Sequence, residues 1–178
     1  MPKSGRWVRD VTISNSTWGN RMMPVSEASE NIFPVGAGIG PGMPLAIGAS
    51  LAKADVKSIA MCGDGGFMLN LPELWTAVEV NSNVIFMIMN DKGYGVIKHI
   101  QDSLYGGRKN YADLKVPNFS ELAKTVGMPY NKVNSSSEFR EKLTKAFEIS
   151  GPVLLEIDVI RVGEMPRYFV PPPFTNKN

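Results

Sequence analysis

Residues 57–97 read KSIAMCGDGGFMLNLPELWTAVEVNSNVIFMIMNDKGYGVI. An apolar run, Ser58 to Cys62, ends in Gly63-Asp64-Gly65-Gly66. A helical pattern follows, and then a second apolar run, Val84 to Met89, which ends in Asn90-Asp91-Lys92-Gly93-Tyr94-Gly95. Between Gly65 and Asn90 lie 24 residues, room for a helix and the return strand. Two buried parallel strands then end side by side, each delivering a carboxylate at its C-terminal edge. Open α/β sheets bind ligands outside those edges.

The flanks extend the same alternation. Trp7 to Ile13 reads as a strand with a polar stop at Ser14-Asn15-Ser16-Thr17. A short helix over Trp18 to Met23 and a brief strand over Ile32 to Val35 follow. Pro41 to Ala54 is a helix of small and apolar residues, its two prolines confined to the start. Asn70-Leu-Pro-Glu73, Asn118-Phe-Ser-Glu121 and Ser135-Ser-Ser-Glu138 each read as a capping box. Leu71, Leu74, Trp75 and Val78 fall on one face of the first of these helices. Gly127 stops the second. Phe139, Leu143, Ala146 and Phe147 form the inner face of the third. Val153 to Ile160 is a last buried strand, and residues 161–178 read as an extended, proline-bearing tail. The expected fold is α/β: one doubly wound domain over residues 1–178, a mostly parallel sheet of about six strands with helices on both faces.

The length of 178 residues suits one domain with a real core. A net charge of +2 gives no argument for nucleic acid or an acidic membrane. No apolar stretch is long enough for a membrane span, and the first ten residues lack the apolar core of a signal peptide. The single cysteine, Cys62, has no internal partner and suits a core position and a reducing, cytoplasmic setting. The glycines from Gly36 to Gly42 fail the G-x-G-x-x-G test, since Pro41 or Met43 takes the last position. No phosphate-binding G-x-x-x-x-G-K-[ST] is present either.

The Gly-Asp-Gly followed at this distance by an Asn-Asn-like pair resembles the signature of thiamine diphosphate enzymes, with Asn90-Asp91 here in place of Asn-Asn. Gly36-Ala-Gly-Ile-Gly-Pro-Gly42 resembles the glycine-rich segment of the same family, and the likeness runs over roughly residues 7 to 160. The chain is similar to the C-terminal, diphosphate-binding domain of the acetolactate synthase, benzoylformate decarboxylase and pyruvate decarboxylase group. The resemblance implies two cofactors, thiamine diphosphate and Mg²⁺. It implies metal ligation by the side chains of Asp64 and Asp91 and the carbonyl of Gly93. It places the diphosphate against Gly63, Gly65 and Gly66, with Ser14, Asn15, Tyr94 and Gly95 nearby. Ile39, beside Gly38, props the cofactor, and the Ala37 carbonyl accepts from its amino group. Many relatives carry serine at the place of Gly66. Asp91 adds a negative charge that Lys92 is expected to offset.

No catalytic residue is assigned in this chain, because the family's activating glutamate lies on a separate pyrimidine-binding domain. The expected partners are therefore that domain or subunit, a 2-oxo-acid substrate, and further copies in a homo- or hetero-oligomer. The expected role is the C-terminal domain or small subunit of a 2-oxo-acid decarboxylase or carboligase, inactive alone and with an exposed apolar face. The alternatives are a subunit of a thiamine-dependent 2-oxo-acid oxidoreductase, or a non-catalytic assembly or regulatory domain. His99, the only histidine, reads as exposed or packed rather than catalytic, and Arg108-Lys109 as solvated surface. Residues 102–114 form a glycine-bearing loop, either a lid or simply a connection.

Overall fold

A computed structural model describes residues 5–19, 23–27, 30–36 and 38–163. The strands are β1 (Arg6–Arg9), β2 (Asn31–Ile32), β3 (Ser58–Gly63), β4 (Val84–Asn90), β5 (Tyr130–Val133) and β6 (Val153–Asp158). They form one sheet in the order β2-β1-β3-β4-β6-β5, and every pairing is parallel. The helices are α1 (Gly42–Ala52), α2 (Asp64–Leu69), α3 (Glu73–Glu79), α4 (Gly95–Leu104), α5 (Phe119–Val126), α6 (Ser136–Glu148) and α7 (Val159–Val162). The expected doubly wound α/β architecture with six strands is what the chain adopts.

Period-two alternation along buried strands sorts the side chains onto two faces. Ala60, Cys62, Phe86, Ile88 and Leu154 face α1, α2, α3 and α5. Ile59, Met61, Ile85, Met87 and Leu155 face α6 and α7. Both faces are covered, which is why β3 and β4 read as continuous apolar runs. The sheet grows outward from β1 in both directions, so the chain reverses between β1 and β3. Parallel sheets open a crevice at such a reversal. Cys62 is buried and free, its thiol pushed well up by burial and by the nearby Asp10.

Several local expectations are corrected. β1 stops at Arg9 rather than Ile13, because Asp10 turns its carboxylate onto the N–H groups of Val11 and Gly40. Asn15 belongs to a π-helical turn, Asn15–Gly19, and not to a polar stop. Residues 20–22 of the expected second helix lie outside the described residues. β2 spans only Asn31–Ile32, since Pro34 has no N–H to continue a ladder.

The capping box at Asn70 does not form. Pro72 occupies the cap of α3, and the Asn70 side chain instead donates to the Gly40 carbonyl at 2.9 Å. The box at Asn118 does form, with its Oδ1 accepting from Ser120 and Glu121, and Gly127 closes α5 in the left-handed conformation, φ 71°. At Ser135 no side-chain cap bond is made, while Glu138 accepts from the Asn134 N–H at 3.2 Å. α3 buries Leu74 and Ala77 but leaves Trp75 51% exposed.

β6 ends at Asp158, whose side chain accepts the Arg161 N–H and starts α7. Residues 164–178 of the expected tail lie outside the described residues. The loop after α4 is shorter than expected, because α4 runs to Leu104. Its far end is tied back: Tyr94 N–H donates to Ala112 and Leu114 N–H to Lys92. Leu51, Leu69, Trp75 and Val78 stay exposed on the outside of α1, α2 and α3. No helix among the described residues is long and apolar enough to cross a membrane.

Candidate functional site

β3 and β4 are adjacent and in register, Gly63 opposite Met89. Their C-terminal ends therefore bring both motifs to one edge. Asp64 is the first residue of α2 and is only 1% exposed. Its Oδ1 accepts the Gly65 N–H at 2.8 Å, and its Oδ2 accepts the Gly93 N–H at 3.1 Å. One carboxylate thus ties the two turns together.

Burial, with the neighbouring charge of Asp91, pushes the Asp64 carboxyl up to about 6 against the pull of those N–H groups. Burial also raises Asp91, opposed chiefly by the Lys98 ammonium. The cation that offsets Asp91 is therefore Lys98, one turn into α4, and not the exposed Lys92. Lys98 itself pairs with Asp113 at 2.9 Å.

A cleft of about 280 Å³ opens over these carboxylates. Its wall takes in Ser14, Ile39, Gly63, Asp64, Gly65, Gly66, Asp91, Gly93, Tyr94 and Gly95 among the residues expected from sequence. Asn15 stays outside this wall: its Nδ2 donates to the carbonyls of Asp10 and Met61, each at 2.8 Å, and so joins β1 to β3. Gly38 is exposed and also stands outside the wall. Ala37 lies outside the described residues.

Apart from Thr12 the remaining wall is apolar, from Val11, Ile13, Met89, Val96, Ile97 and Val159. Val11 and Ile13 lie past the end of β1 and Val159 past the end of β6, while Met89 belongs to β4 and Val96 and Ile97 to α4. Asp10 is a further residue that the sequence did not single out. Buried at the end of β1, it holds the Gly40 N–H with both oxygens at 2.9 Å and fixes the loop that carries Ile39. A Cβ on Gly66 would come within 2.9 Å of its Oδ2, so a serine here requires Asp10 to move.

The donor set fits a hard divalent cation. Oxygen is the donor both motifs offer, from two carboxylates raised by burial, Asp64 further by the charge of Asp91. Among the described residues no group of three or more His, Cys, Asp or Glu side chains converges. A metal here would take few protein side chains and fill its shell with backbone, water or ligand oxygens, the coordination that Mg²⁺ prefers.

Comparison with known proteins agrees with this geometry. A "Probable acetolactate synthase large subunit" of Methanococcus aeolicus is 36% identical over 122 residues, covering 68% of this chain and 20% of the relative. The "Acetolactate synthase catalytic subunit, mitochondrial" of Saccharomyces cerevisiae is 34% identical over 121 residues, 68% of this chain and 18% of the relative. The solved structure of a Rhodococcus jostii thiamine diphosphate-dependent 4-hydroxybenzoylformate decarboxylase superposes with a TM-score of 0.80 at 27% identity. That match covers 92% of this chain and 31% of the other. The chain thus spans about a fifth of the length of these synthases. The family model described as "Thiamine pyrophosphate enzyme, C-terminal TPP binding domain" matches residues 12–157, and with two parallel strands carrying Asp64 and Asp91 to one cleft, the chain belongs to that family.

Proposed function

We propose that this domain holds the diphosphate of thiamine diphosphate through Mg²⁺, as the C-terminal domain or small subunit of a 2-oxo-acid decarboxylase or carboligase of the acetolactate synthase type. The observation that carries the reading is the Asp64 bridge: one buried carboxylate bound to the N–H groups of both Gly65 and Gly93, beside a second carboxylate from the adjacent strand. Asp64, Asp91 and the Gly93 carbonyl ligate the metal. The Gly65 and Gly66 backbone meets the phosphate oxygens, which complete the metal's oxygen shell. Ile39 and the apolar wall pack against the organic part of the cofactor. When bound, thiamine diphosphate supplies the chemistry by which 2-oxo acids lose carbon dioxide or join a second carbonyl.

The activating glutamate and the pyrimidine pocket come from another domain or subunit, so the isolated chain is inactive. The synthase relatives, several times longer than this chain, favour a carboligase.

The test is a set of melting curves with thiamine diphosphate and Mg²⁺, each alone and together. A ligand that binds only the folded state raises Tm by mass action. The expected result is a rise that needs both components. No rise, even beside a pyrimidine-domain partner, overturns the reading.

Asp91→Asn removes one of the two repelling charges and keeps an oxygen donor. We expect Mg²⁺ and cofactor affinity equal to or better than wild type, measured by the same melts. Loss of binding in this variant contradicts the ligand arrangement.

The pH dependence has a definite sign. Asp64 holds its proton more tightly folded, about 6, than at its ordinary value of 3.8. The ligand-free chain therefore loses this group's contribution to stability as pH rises from 3.8 to about 6. Below about 6, the metal must displace that proton. The Mg²⁺ midpoint is expected to weaken about tenfold per pH step there and to level off above it. A midpoint unchanged between pH 5 and 7 contradicts this.

A further inference from the structure

Asn90 precedes Asp91 in the second motif but takes no part in the cleft wall. It is 6% exposed, and its side chain works in the opposite direction. Its Nδ2 donates to Glu156 Oε1 at 2.8 Å, and its Oδ1 accepts the Lys92 N–H at 3.2 Å. Glu156, in the middle of β6 and 4% exposed, gathers two more donors: the Tyr130 hydroxyl and the Lys132 ammonium, the latter at 3.1 Å. Lys132 also pairs with Asp158 at 3.3 Å.

A buried carboxylate paired with a lysine accepts hydrogen bonds and donates none. It therefore dictates which way the Asn90 amide faces. The NH₂ must point to Glu156, and only Oδ1 is left for the Lys92 N–H. Lys92 needs that bond: its φ is 55°, in the left-handed region that side-chain-bearing residues seldom occupy. Two residues on from Lys92's neighbour Asp91, the Gly93 N–H reaches Asp64. The conformation of the whole 90–93 turn thus rests on a fixed amide orientation.

We propose that Glu156 and Asn90 are positioning residues, which set the turn that presents Asp91 and Gly93 to the divalent cation. This rests on the reading of Asp64 and Asp91 as the metal site and deepens it. Partners one step behind a metal ligand commonly govern affinity by about 10- to 100-fold.

The pair can be inverted, with Lys132, which faces the same Glu156 Oε1 at 3.1 Å, keeping Asp158 as its partner at 3.3 Å. Asn90→Asp combined with Glu156→Gln places the carboxylate at position 90 and the amide at 156. The new carboxylate then accepts both from that amide and from the Lys92 N–H. Each single substitution breaks the pairing: Asn90→Asp sets two carboxylates against each other, and Glu156→Gln frees the Asn90 amide to flip.

The experiment measures the Mg²⁺ midpoint of the Tm rise at saturating thiamine diphosphate, using the 178-residue chain. It compares wild type, both single variants and the double variant, with the ligand-free circular dichroism spectrum as the check on folding. The expected result is a midpoint raised roughly 10- to 100-fold in each single variant. The double variant returns to within about threefold of wild type. A loss of packing alone predicts no such rescue. If a single variant fails to fold, the double variant decides: it must fold and bind as wild type does. Single variants that bind Mg²⁺ like wild type, or a double variant no better than the worse single, overturn the positioning role. No Mg²⁺-dependent rise in the wild type, even beside a pyrimidine-domain partner, overturns the metal-site reading itself, and the positioning role with it.

Discussion

Asp64→Asn is expected to abolish the Mg²⁺-dependent binding of thiamine diphosphate while leaving the stability of the ligand-free chain at pH 8 nearly unchanged. The wild-type carboxylate is buried beside Asp91, and its proton equilibrium is displaced to about 6. Each tenfold displacement is worth about 1.4 kcal/mol. Holding that charge above pH 7 thus costs the fold on the order of 3 kcal/mol. The amide carries no charge, but its one oxygen serves only one of the Gly65 and Gly93 N–H groups and its NH₂ faces the other, a lost buried hydrogen bond that costs about 1–3 kcal/mol. The two terms are of similar size and opposite sign, so the ligand-free Tm at pH 8 should stay within a few degrees of wild type, since about 1 kcal/mol moves a chain of this size by about 2–4 °C.

Metal affinity should fall by more than about 100-fold, beyond what loss of a residue behind the ligands costs. Melting curves with and without Mg²⁺ and cofactor at pH 8 read both effects. A variant that keeps a Mg²⁺-dependent rise, or that is less stable without ligand by several degrees, contradicts this account of Asp64.

Phe67→Ala carries the largest expected cost to the fold. Phe67 follows the Gly63–Gly66 turn and is fully buried. Its ring meets Phe86 of β4 and Phe119 of α5 edge-on, with centroids 6.5 and 5.7 Å away. Three elements that share no other aromatic contact among the described residues meet on that one side chain. Truncation leaves a cavity that helices on both sides cannot fill without moving off the sheet. The expected loss is about 3–5 kcal/mol, or roughly 10 °C in Tm. Phe67→Leu should cost less than half as much. Chemical denaturation of the three proteins measures the difference. A loss below about 1 kcal/mol in the alanine variant shows that the core closes over the gap and that Phe67 does not anchor the turn.

What the sequence made legible follows from burial. β3 and β4 are covered on both faces, so they appear as unbroken apolar runs, and the polar turns at their ends stand out. Asp64 and Asp91 could be placed at a common edge for that reason alone. β5 was not legible, because Asn131 and Lys132 lie in a partly exposed edge strand with no apolar alternation. β1 was read too long because Val11 and Ile13 continue its hydrophobic pattern. They line the cleft instead, past the bend that Asp10 makes.

The Asn70 box failed for a tertiary reason. The Gly40 carbonyl offers Asn70 a partner 30 residues away, and Pro72 already supplies the helix start. The same reason hid Asn90. Within the chain it looks like half of a ligand pair, and only β6, far away in sequence but one strand over in space, shows it turned toward Glu156.

The central claim is that Asp64 and Asp91 bridge a divalent cation to a diphosphate. Its most direct test is a crystal structure of the chain grown with thiamine diphosphate and Mn²⁺, with anomalous scattering used to locate the metal. The account predicts one anomalous peak between the two carboxylates, within about 2.0–2.6 Å of an oxygen from each, as hard divalent cations keep. It also predicts diphosphate density against Gly65 and Gly66. A bound cofactor whose metal lies away from either carboxylate, or whose diphosphate lies outside this turn, contradicts it.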